Sequence, residues 1–215
     1  TIGADVYDNV ATENTGGILV FNMPNLPQPG SRTRVFNNHI FANNTGNFGH
    51  AGTPVASIPA GSGIVVNSND QVEIFDNDIS DNRTANIIIS SLHSTGYSSY
   101  SVQADFDPYP EGIYIHSNRF SGGGDNPDGL ELQGLKLLVA GPLGRMPDVW
   151  WDGYQDVSRQ VDGAMPDDLR ICLDNGEAEL VNADGPNDYA APAITTEQHR
   201  CTLPRLPAIE LASAR

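Results

Sequence analysis

A short phrase recurs along this chain and constrains its fold more than any other feature. Val-Phe-Asn-Asn-His-Ile-Phe-Ala-Asn at residues 35–43 returns as Ile-Phe-Asp-Asn-Asp-Ile-Ser-Asp-Asn at residues 74–82. Shorter matches begin at Val6 and Ile115, and apolar runs follow at residues 17–20, 63–66 and 86–89. Each unit is too small to bury a core alone, so the units must stack on one another.

Asparagines repeat at fixed positions of these units. One position holds Asn9, Asn38, Asn77 and Asn118, and a second holds Asn14, Asn43 and Asn82. In stacked parallel coils, equal positions form columns with a spacing of about 4.8 Å. A column of asparagines at a bend lets each amide bond its neighbour and the turning backbone. The pattern predicts an all-β fold, a right-handed parallel β-helix, in which these asparagines are structural rather than ligand-binding.

The repeats end before the C-terminal third of the chain. We expect coils over residues 1–132, with a last strand at residues 129–132, and a C-terminal cap over residues 133–215. A short helix or strand at residues 135–139 and the pair Trp150 and Trp151 would cover the open end of the stack. The tryptophans would alternatively form a platform for sugar rings.

The chain enters its first repeat directly at Thr1, without a methionine or a capping segment. An uncapped coil would expose an unpaired strand edge, which proteins normally cover. This predicts that further coils of the same polypeptide, together with any export signal, precede residue 1.

The C-terminal region contains the only two cysteines, Cys172 and Cys201. Asn175 and Gly176 lie between two apolar runs, and Asn-Gly in that setting predicts a β-hairpin. A disulfide would then join the last extended segment to this hairpin and stabilise the fold by about 3 to 4 kcal/mol. Two cysteines used in this way are typical of an exported protein.

Net charge limits the partners. The formal charge of −16 disfavours nucleic acids and anionic membranes, because both require a basic surface. No apolar run is long enough to span a bilayer.

Insertions between the strands are the expected binding elements, since long loops on a rigid scaffold commonly carry function. The loops at residues 23–33 and 92–111 leave the predicted coils at the same corner, whereas residues 46–62 leave at another. Outward residues of the adjoining strands would form the floor of a groove between the first two loops; these are Arg34, Glu73 and Tyr114.

The loop at residues 92–111 would supply the remaining contacts. Tyr97, Tyr100 and Tyr109 would stack on sugar rings, and Asp105 and Asp107 would bind hydroxyl groups or Ca²⁺. Alternatively, the tyrosines pack the loop onto the scaffold and the aspartates are turn residues.

Catalysis is a further possibility, although no motif identifies its residues. A uronate lyase or epimerase needs a base, an acid and a carboxylate clamp. Candidate bases are His93 and His116, a tyrosine could be the acid, and Arg34 or Arg119 could be the clamp. For a glycosidase, the carboxyl pair would be Asp105 and Glu111. The sequence favours binding without chemistry in this chain and leaves the class of enzyme open.

The Asn repeats, residues 14–21, residues 107–113 and the Cys-Thr-Leu-Pro sequence at 201–204 resemble a largely uncharacterised bacterial family of parallel β-helix repeat proteins. The resemblance covers nearly the whole chain. It implies a pectate-lyase-like superhelix and export to the periplasm, the cell surface or the medium, but it supplies no catalytic residues. The Asp-Pro-His-Asp type of motif found in the related mannuronan epimerases is absent.

The expected function is therefore an exported β-helix that binds polysaccharide through loops on one side. The rivals are a uronate lyase or epimerase and a structural or protein-binding β-helix. A periplasmic metal-handling helper is a further rival, but it would need clustered ligands, and the five histidines and three methionines are scattered.

Overall fold

The computed structural model describes residues 2–50, 52–95 and 102–210. Within these ranges, fifteen strands follow one another in rounds of three, and one α-helix interrupts them. The rounds are β1 (Ile2–Tyr7), β2 (Val10–Thr12), β3 (Gly16–Phe21); β4 (Ser31–Phe36), β5 (His39–Phe41), β6 (Ser62–Asn67); β7 (Asp70–Phe75), β8 (Asp78–Ser80), β9 (Ala85–Ser90); β10 (Ile113–His116), β11 (Arg119–Ser121), α1 (Gly129–Ala140), β12 (Val149–Trp151); and β13 (Ile171–Asp174), β14 (Leu180–Asn182), β15 (Ala193–Ile194). Single turns of 3₁₀ helix lie at Pro54–Ser57, Leu92–Ser94, Val157–Arg159, Asp167–Leu169, Gly185–Asn187 and Thr196–His199.

Three sheets are built from strands of successive rounds; the first four rounds give one strand to each sheet, whereas the last adds β13 to sheet A and both β14 and β15 to sheet C. Sheet A has the order β1-β4-β7-β10-β13, sheet B the order β11-β8-β5-β2, and sheet C the order β15-β14-β12-β9-β6-β3. Every strand pair is parallel except β14 with the short β15. The architecture is thus all-β and solenoid-like, with each round stacked on the one before it.

Aliphatic side chains fill the space between the sheets. In sheet A, Val35 pairs with Ile74, and Ile74 pairs with Ile115. All three are completely buried and belong to one core that also receives Ile64 and Ile87 of sheet C. Period-two alternation places these residues inward, and stacking of equal positions makes the core continuous from round to round.

The predicted asparagine column is present at the bend between sheets A and B. The side-chain amide of each member donates to Oδ1 of the next, at 2.9 Å from Asn9 to Asn38, 2.9 Å from Asn38 to Asn77 and 2.9 Å from Asn77 to Asn118. A fifth member follows, because Asn118 donates to Asn175 at 3.1 Å. We refer to these five residues as the Asn ladder.

Asn175 therefore does not form the hairpin turn that the Asn-Gly pair predicted. Strands β13 and β14, on either side of it, lie in different sheets and pair in parallel with β10 and β12. The turn leads from one sheet to another instead of reversing the chain. As a result, the sheets continue beyond the boundary predicted at residue 132.

A shorter column lies at the next bend. Asn14 donates to Asn43 at 3.1 Å, and Asn43 donates to Asn82 at 3.1 Å. Asn82 in turn lies 3.5 Å from Oδ1 of Asn86. These amides satisfy one another and the turning backbone, as buried polar groups require.

The segment predicted as a strand at residues 129–132 is the first turn of α1. Leu132, Leu135 and Val139 pack against a second apolar cluster, and their spacing follows the period of a helix rather than that of a strand. The cluster lies on the outer face of sheet C, where it includes Val65, and α1 therefore covers a side of the stack instead of its end.

The two tryptophans are adjacent residues of β12 and belong to different clusters. Trp150 belongs to the cluster under α1, whereas Trp151 belongs to the core between the sheets. They continue sheet C and do not form the end cap that the sequence suggested.

Candidate functional site

One row of outward side chains runs the full length of sheet A. The strand register places Asp5, Arg34, Glu73, Tyr114 and Cys172 side by side, one from each strand. The row includes all three residues that were predicted to form a groove floor. Their neighbours along each strand point into the core, so the predicted alternation holds here.

The C-terminal segment of the chain lies across this row. The disulfide between Cys172 and Cys201 fixes its start. Further along, the N–H of Leu206 donates to Glu73 Oε2 at 2.9 Å, and the N–H of Ile209 lies 3.4 Å from Asp5 Oδ2. We refer to residues 202–210 as the C-terminal strap.

The strap matches the spacing of the strands beneath it. Leu203, Leu206 and Ile209 are half-buried, whereas Pro204 and Pro207 are exposed. An extended proline-rich chain rises about 3.1 Å per residue, so three residues span about two strand spacings. Consistently, the N–H groups of Leu206 and Ile209 reach β7 and β1, which lie two strands apart.

The predicted groove floor is consequently closed. Glu73 is 2% exposed, and its Oε1 lies 3.0 Å from Nε2 of the equally buried His116. Tyr114 is also buried. Arg34 donates to both carboxylate oxygens of Asp5, at 2.8 and 2.5 Å, and this contact lowers the pKa of Asp5. The row predicted as a groove floor is covered because the C-terminal strap lies across it.

A column of rings borders the same row. Tyr7, Phe36, Phe75 and His116 stack with centroid distances of 5.0, 4.9 and 5.2 Å. The guanidinium of Arg205, in the strap, lies 6.0 Å from the centroid of Phe75. Cation–π contact adds to the attachment of the strap.

A second group of side chains assembles at the corner that follows sheet C. The loops at residues 22–30 and 91–112 both leave this sheet there, and the N–H of Asn25 donates to the side chain of Gln103. The shared corner is as the sequence predicted. Two of the tyrosines predicted to bind sugar, Tyr97 and Tyr100, lie outside the described residues.

Three carboxyl groups contact one guanidinium at this corner, and a fourth lies beside them. Arg159 donates hydrogen bonds to the carboxylate of Glu111 and, at 2.7 Å, to that of Asp107. Its Nε also lies 3.3 Å from the carboxylate of Asp156. Asp70 completes the group, because its Oδ1 accepts from the N–H of Glu111 at 3.3 Å. We refer to these five residues as the Arg159 cluster.

The Arg159 cluster contains more negative charge than its arginine balances. Burial, followed by the charges of Asp107 and Glu111, raises the pKa of Asp70 to about 7. Burial and the charge of Asp107 likewise raise the pKa of Glu111 to about 7, against the opposing effect of Arg159. Carboxyl groups that titrate near neutrality in one place are typical of functional sites.

Aromatic rings lie beside the cluster. The exposed ring of His93 is 5.5 Å from that of Tyr109 and 5.0 Å from that of Tyr154. The base of the loop is held by the buried Asp152, which accepts from Ser91 Oγ at 2.8 Å and from Ser94 Oγ at 2.7 Å. Tyr109 therefore lies against the ring of His93, which belongs to the fixed base of the loop.

The proposed calcium ligands do not form a cation site. Asp105 is exposed, and Asp107 is paired with Arg159, so a guanidinium already supplies the positive charge beside it. Within the described ranges, no three Asp, Glu, His or Cys side chains are grouped as metal ligands. The residues present do not fit Ca²⁺.

The catalytic candidates lie in separate places. His116 contacts Glu73 beneath the strap, whereas His93 contacts tyrosines at the corner after sheet C. Of the two arginines, Arg34 is bound to Asp5 in sheet A, and Arg119 is bound to Asp78 in sheet B. For the glycosidase pair, Asp105 is exposed whereas Glu111 is buried.

Sequence reasoning missed Asp70, Tyr154, Asp156 and Arg159. The last three lie between β12 and β13, in the segment that leaves sheet C at the same corner as the earlier loops. Recognition of Asn175 as a member of the Asn ladder would have revealed this last round. It would also have identified residues 152–170 as a third loop of the corner.

Comparisons with protein families, with curated proteins and with solved structures gave no match for this chain. Within the described residues, no helix combines the length and the apolar character needed to cross a membrane.

Proposed function

We propose that this chain forms an exported, right-handed parallel β-helix that binds carbohydrate at the Arg159 cluster. Three parallel sheets with a shared core and the Asn ladder support the assignment to this fold. The disulfide between Cys172 and Cys201 supports an oxidising compartment, which is the periplasm, the cell surface or the medium. The resemblance to bacterial β-helix repeat proteins points in the same direction.

The observation that carries the proposal is the state of Glu111. Glu111 is 2% exposed, and its Oε1 has no hydrogen-bond partner among the described residues. A buried carboxyl oxygen without a donor is unfavourable, because desolvation is not repaid. A hydroxyl group of a sugar would supply that donor.

The surroundings suit a sugar ring. The rings of His93, Tyr109 and Tyr154 offer apolar faces with polar edges beside the carboxyl groups. Arg159 fixes the carboxylates of Asp107 and Glu111 in place. Apolar faces combined with a few fixed polar groups characterise small-molecule sites.

The test is a glycan array followed by titration calorimetry with the best ligand. Glu111→Gln keeps the shape of the side chain and removes its charge, and it should weaken binding about tenfold, or about 1.4 kcal/mol. Asp105→Asn is the matched control, since Asp105 is exposed in the same loop, and it should leave the affinity unchanged. If the Glu111→Gln variant has a normal melting temperature and binds the glycan as tightly as the unmodified protein, the site does not lie at this corner.

A uronate lyase or epimerase is the second hypothesis, and the arrangement favours it less. One candidate base, His116, is buried, and the candidate clamps Arg34 and Arg119 are paired with Asp5 and Asp78. The other candidate base, His93, is exposed but contacts tyrosines at a different place from either arginine. An absorbance assay for unsaturated uronate products on the same glycans would detect this activity. A structural or protein-binding role without a glycan is the outcome if both assays are negative.

A further inference from the structure

A cleft lies between α1 and the outer face of sheet C and shares no lining residue with the Arg159 cluster. Its volume is about 750 Å³, within the range of about 300 to 1,000 Å³ that is usual for small-molecule sites. The walls are mainly apolar and include Phe21, Val65, Ile88, Leu135, Leu138 and Trp150.

The helix leaves apolar surface uncovered at this cleft. Leu130 and Leu138 line it, yet they are 87% and 71% exposed. Contact with water is unfavourable for such side chains. A ligand with an apolar body would cover them.

One residue that lines the cleft, Trp150, has a buried hydrogen-bond donor without an acceptor among the described residues. Trp150 lines the cleft and is 8% exposed, and its Nε1–H has no partner within the described part of the chain. An unsatisfied buried donor is costly. A ligand with a carbonyl group would satisfy it.

Charge restricts the ligand further. Glu131 and Asp188 line the cleft, and none of its described lining residues is basic. The chain as a whole carries a formal charge of −16. An anionic head group, such as that of a fatty acid, would therefore be repelled.

We propose that this cleft binds an acyl ester or amide whose head group is cationic. The acyl chain lies against the leucines of α1, and the carbonyl oxygen accepts from Trp150. A cationic head group lies towards Glu131 and Asp188. This site is independent of the carbohydrate site proposed above.

Three probes with twelve-carbon chains separate these contributions when each is used below its micelle concentration. Lauroylcholine has the carbonyl and the positive charge, dodecyltrimethylammonium lacks the carbonyl, and laurate is anionic. Titration calorimetry should show lauroylcholine binding at least about tenfold more tightly than laurate, and more tightly than dodecyltrimethylammonium. Equal affinity for laurate and lauroylcholine would overturn the proposal.

Two variants localise the binding. Gly134 lies in α1 and lines the cleft, and a Cβ at this position meets no atom within 4 Å. Gly134→Leu should therefore fill the cleft and reduce lauroylcholine affinity at least about tenfold, while favouring the helix. Leu143→Ser, at a fully exposed residue outside the cleft, is the control and should bind normally.

Trp150→Phe removes the indole N–H but keeps an aromatic ring. It should abolish the preference for lauroylcholine over dodecyltrimethylammonium and leave binding of the latter nearly unchanged. Melting curves identify any variant that folds poorly. Unaltered lauroylcholine binding by a correctly folded Gly134→Leu variant would exclude the cleft as the site.

Discussion

Replacement of Asn77 by leucine tests the Asn ladder most directly. Leucine has nearly the same shape as asparagine but can neither donate nor accept a hydrogen bond. Asn77 is 2% exposed, and its amide donates to Val35 O, Phe75 O and Asn118 Oδ1. Its Oδ1 accepts from both the backbone and the side-chain nitrogens of Asn38.

The expected loss follows from the groups left unpaired. The backbone N–H of Asn38 loses its acceptor, and carbonyls at the bend lose a donor. At about 1 to 3 kcal/mol for each buried unsatisfied group, two such groups give a loss of about 4 kcal/mol. In a domain of this size, that loss lowers the melting temperature by roughly 10 °C.

Asn9→Leu is the matched control, because Asn9 occupies the same repeat position at the exposed end of the Asn ladder. Asn38 Oδ1 would keep the backbone N–H of Asn9 as a donor, so the loss should stay below about 1 kcal/mol. Thermal unfolding followed by circular dichroism measures both variants. Equal shifts in melting temperature would refute the view that interior members of the Asn ladder stabilise the fold more than terminal members.

Two further predictions concern charge and the disulfide. The pKa of Asp70 rises from 3.8 to about 7 on folding. Protonated Asp70 therefore stabilises the folded state fully below about pH 4, and this stabilisation is lost as the pH rises to about 7. Asp70→Asn should therefore raise the melting temperature at pH 8 by about 5 °C, which corresponds to roughly 2 kcal/mol, and should hardly change it at pH 4. An equal gain at both pH values would contradict the shifted pKa. Cys201→Ser should lower the free energy of unfolding by about 3 kcal/mol and speed hydrogen exchange at the N–H of Leu206, whereas unchanged exchange would show that the strap is held without the disulfide.

The repeated part of the fold was predictable from the sequence because its signals are local and periodic. Asn38 and Asn77 recur in the same phrase, and Val35 and Ile74 hold the same inward position. Stacking converts such periodicity into columns without any need to know distant contacts. The shared corner of the two loops followed from the same alignment.

The last round was missed because its signals are ambiguous. The insertion that contains α1 separates β11 from β12 and hides the repeat. Asn175 and Gly176 suit a bend between sheets as well as a hairpin, since both geometries favour residues that tolerate positive φ, and Gly176 has a φ of 59°. Local preference alone does not distinguish these two turns.

The Arg159 cluster and the strap depend on contacts between distant parts of the chain. Arg159 meets Glu111 across 48 residues, and Leu206 meets Glu73 across 133 residues. The sequence does contain a pattern that indicates the strap. Leu203, Leu206 and Ile209 recur every three residues, and a proline follows each of the two leucines, which is the pattern of an extended segment with one apolar side.

The strap also bears on how the molecule unfolds. A stack in which each round touches only its neighbours behaves as a one-dimensional array, and such an array can fray from either end. Here residues near the two ends of the chain are tied together, because the N–H of Ile209 meets Asp5 across 204 positions while Cys201 is bonded to β13. Fraying of the first round must release the strap as well. The strap therefore couples the first and last rounds that the structure describes and should make the loss of sheet A a single cooperative event.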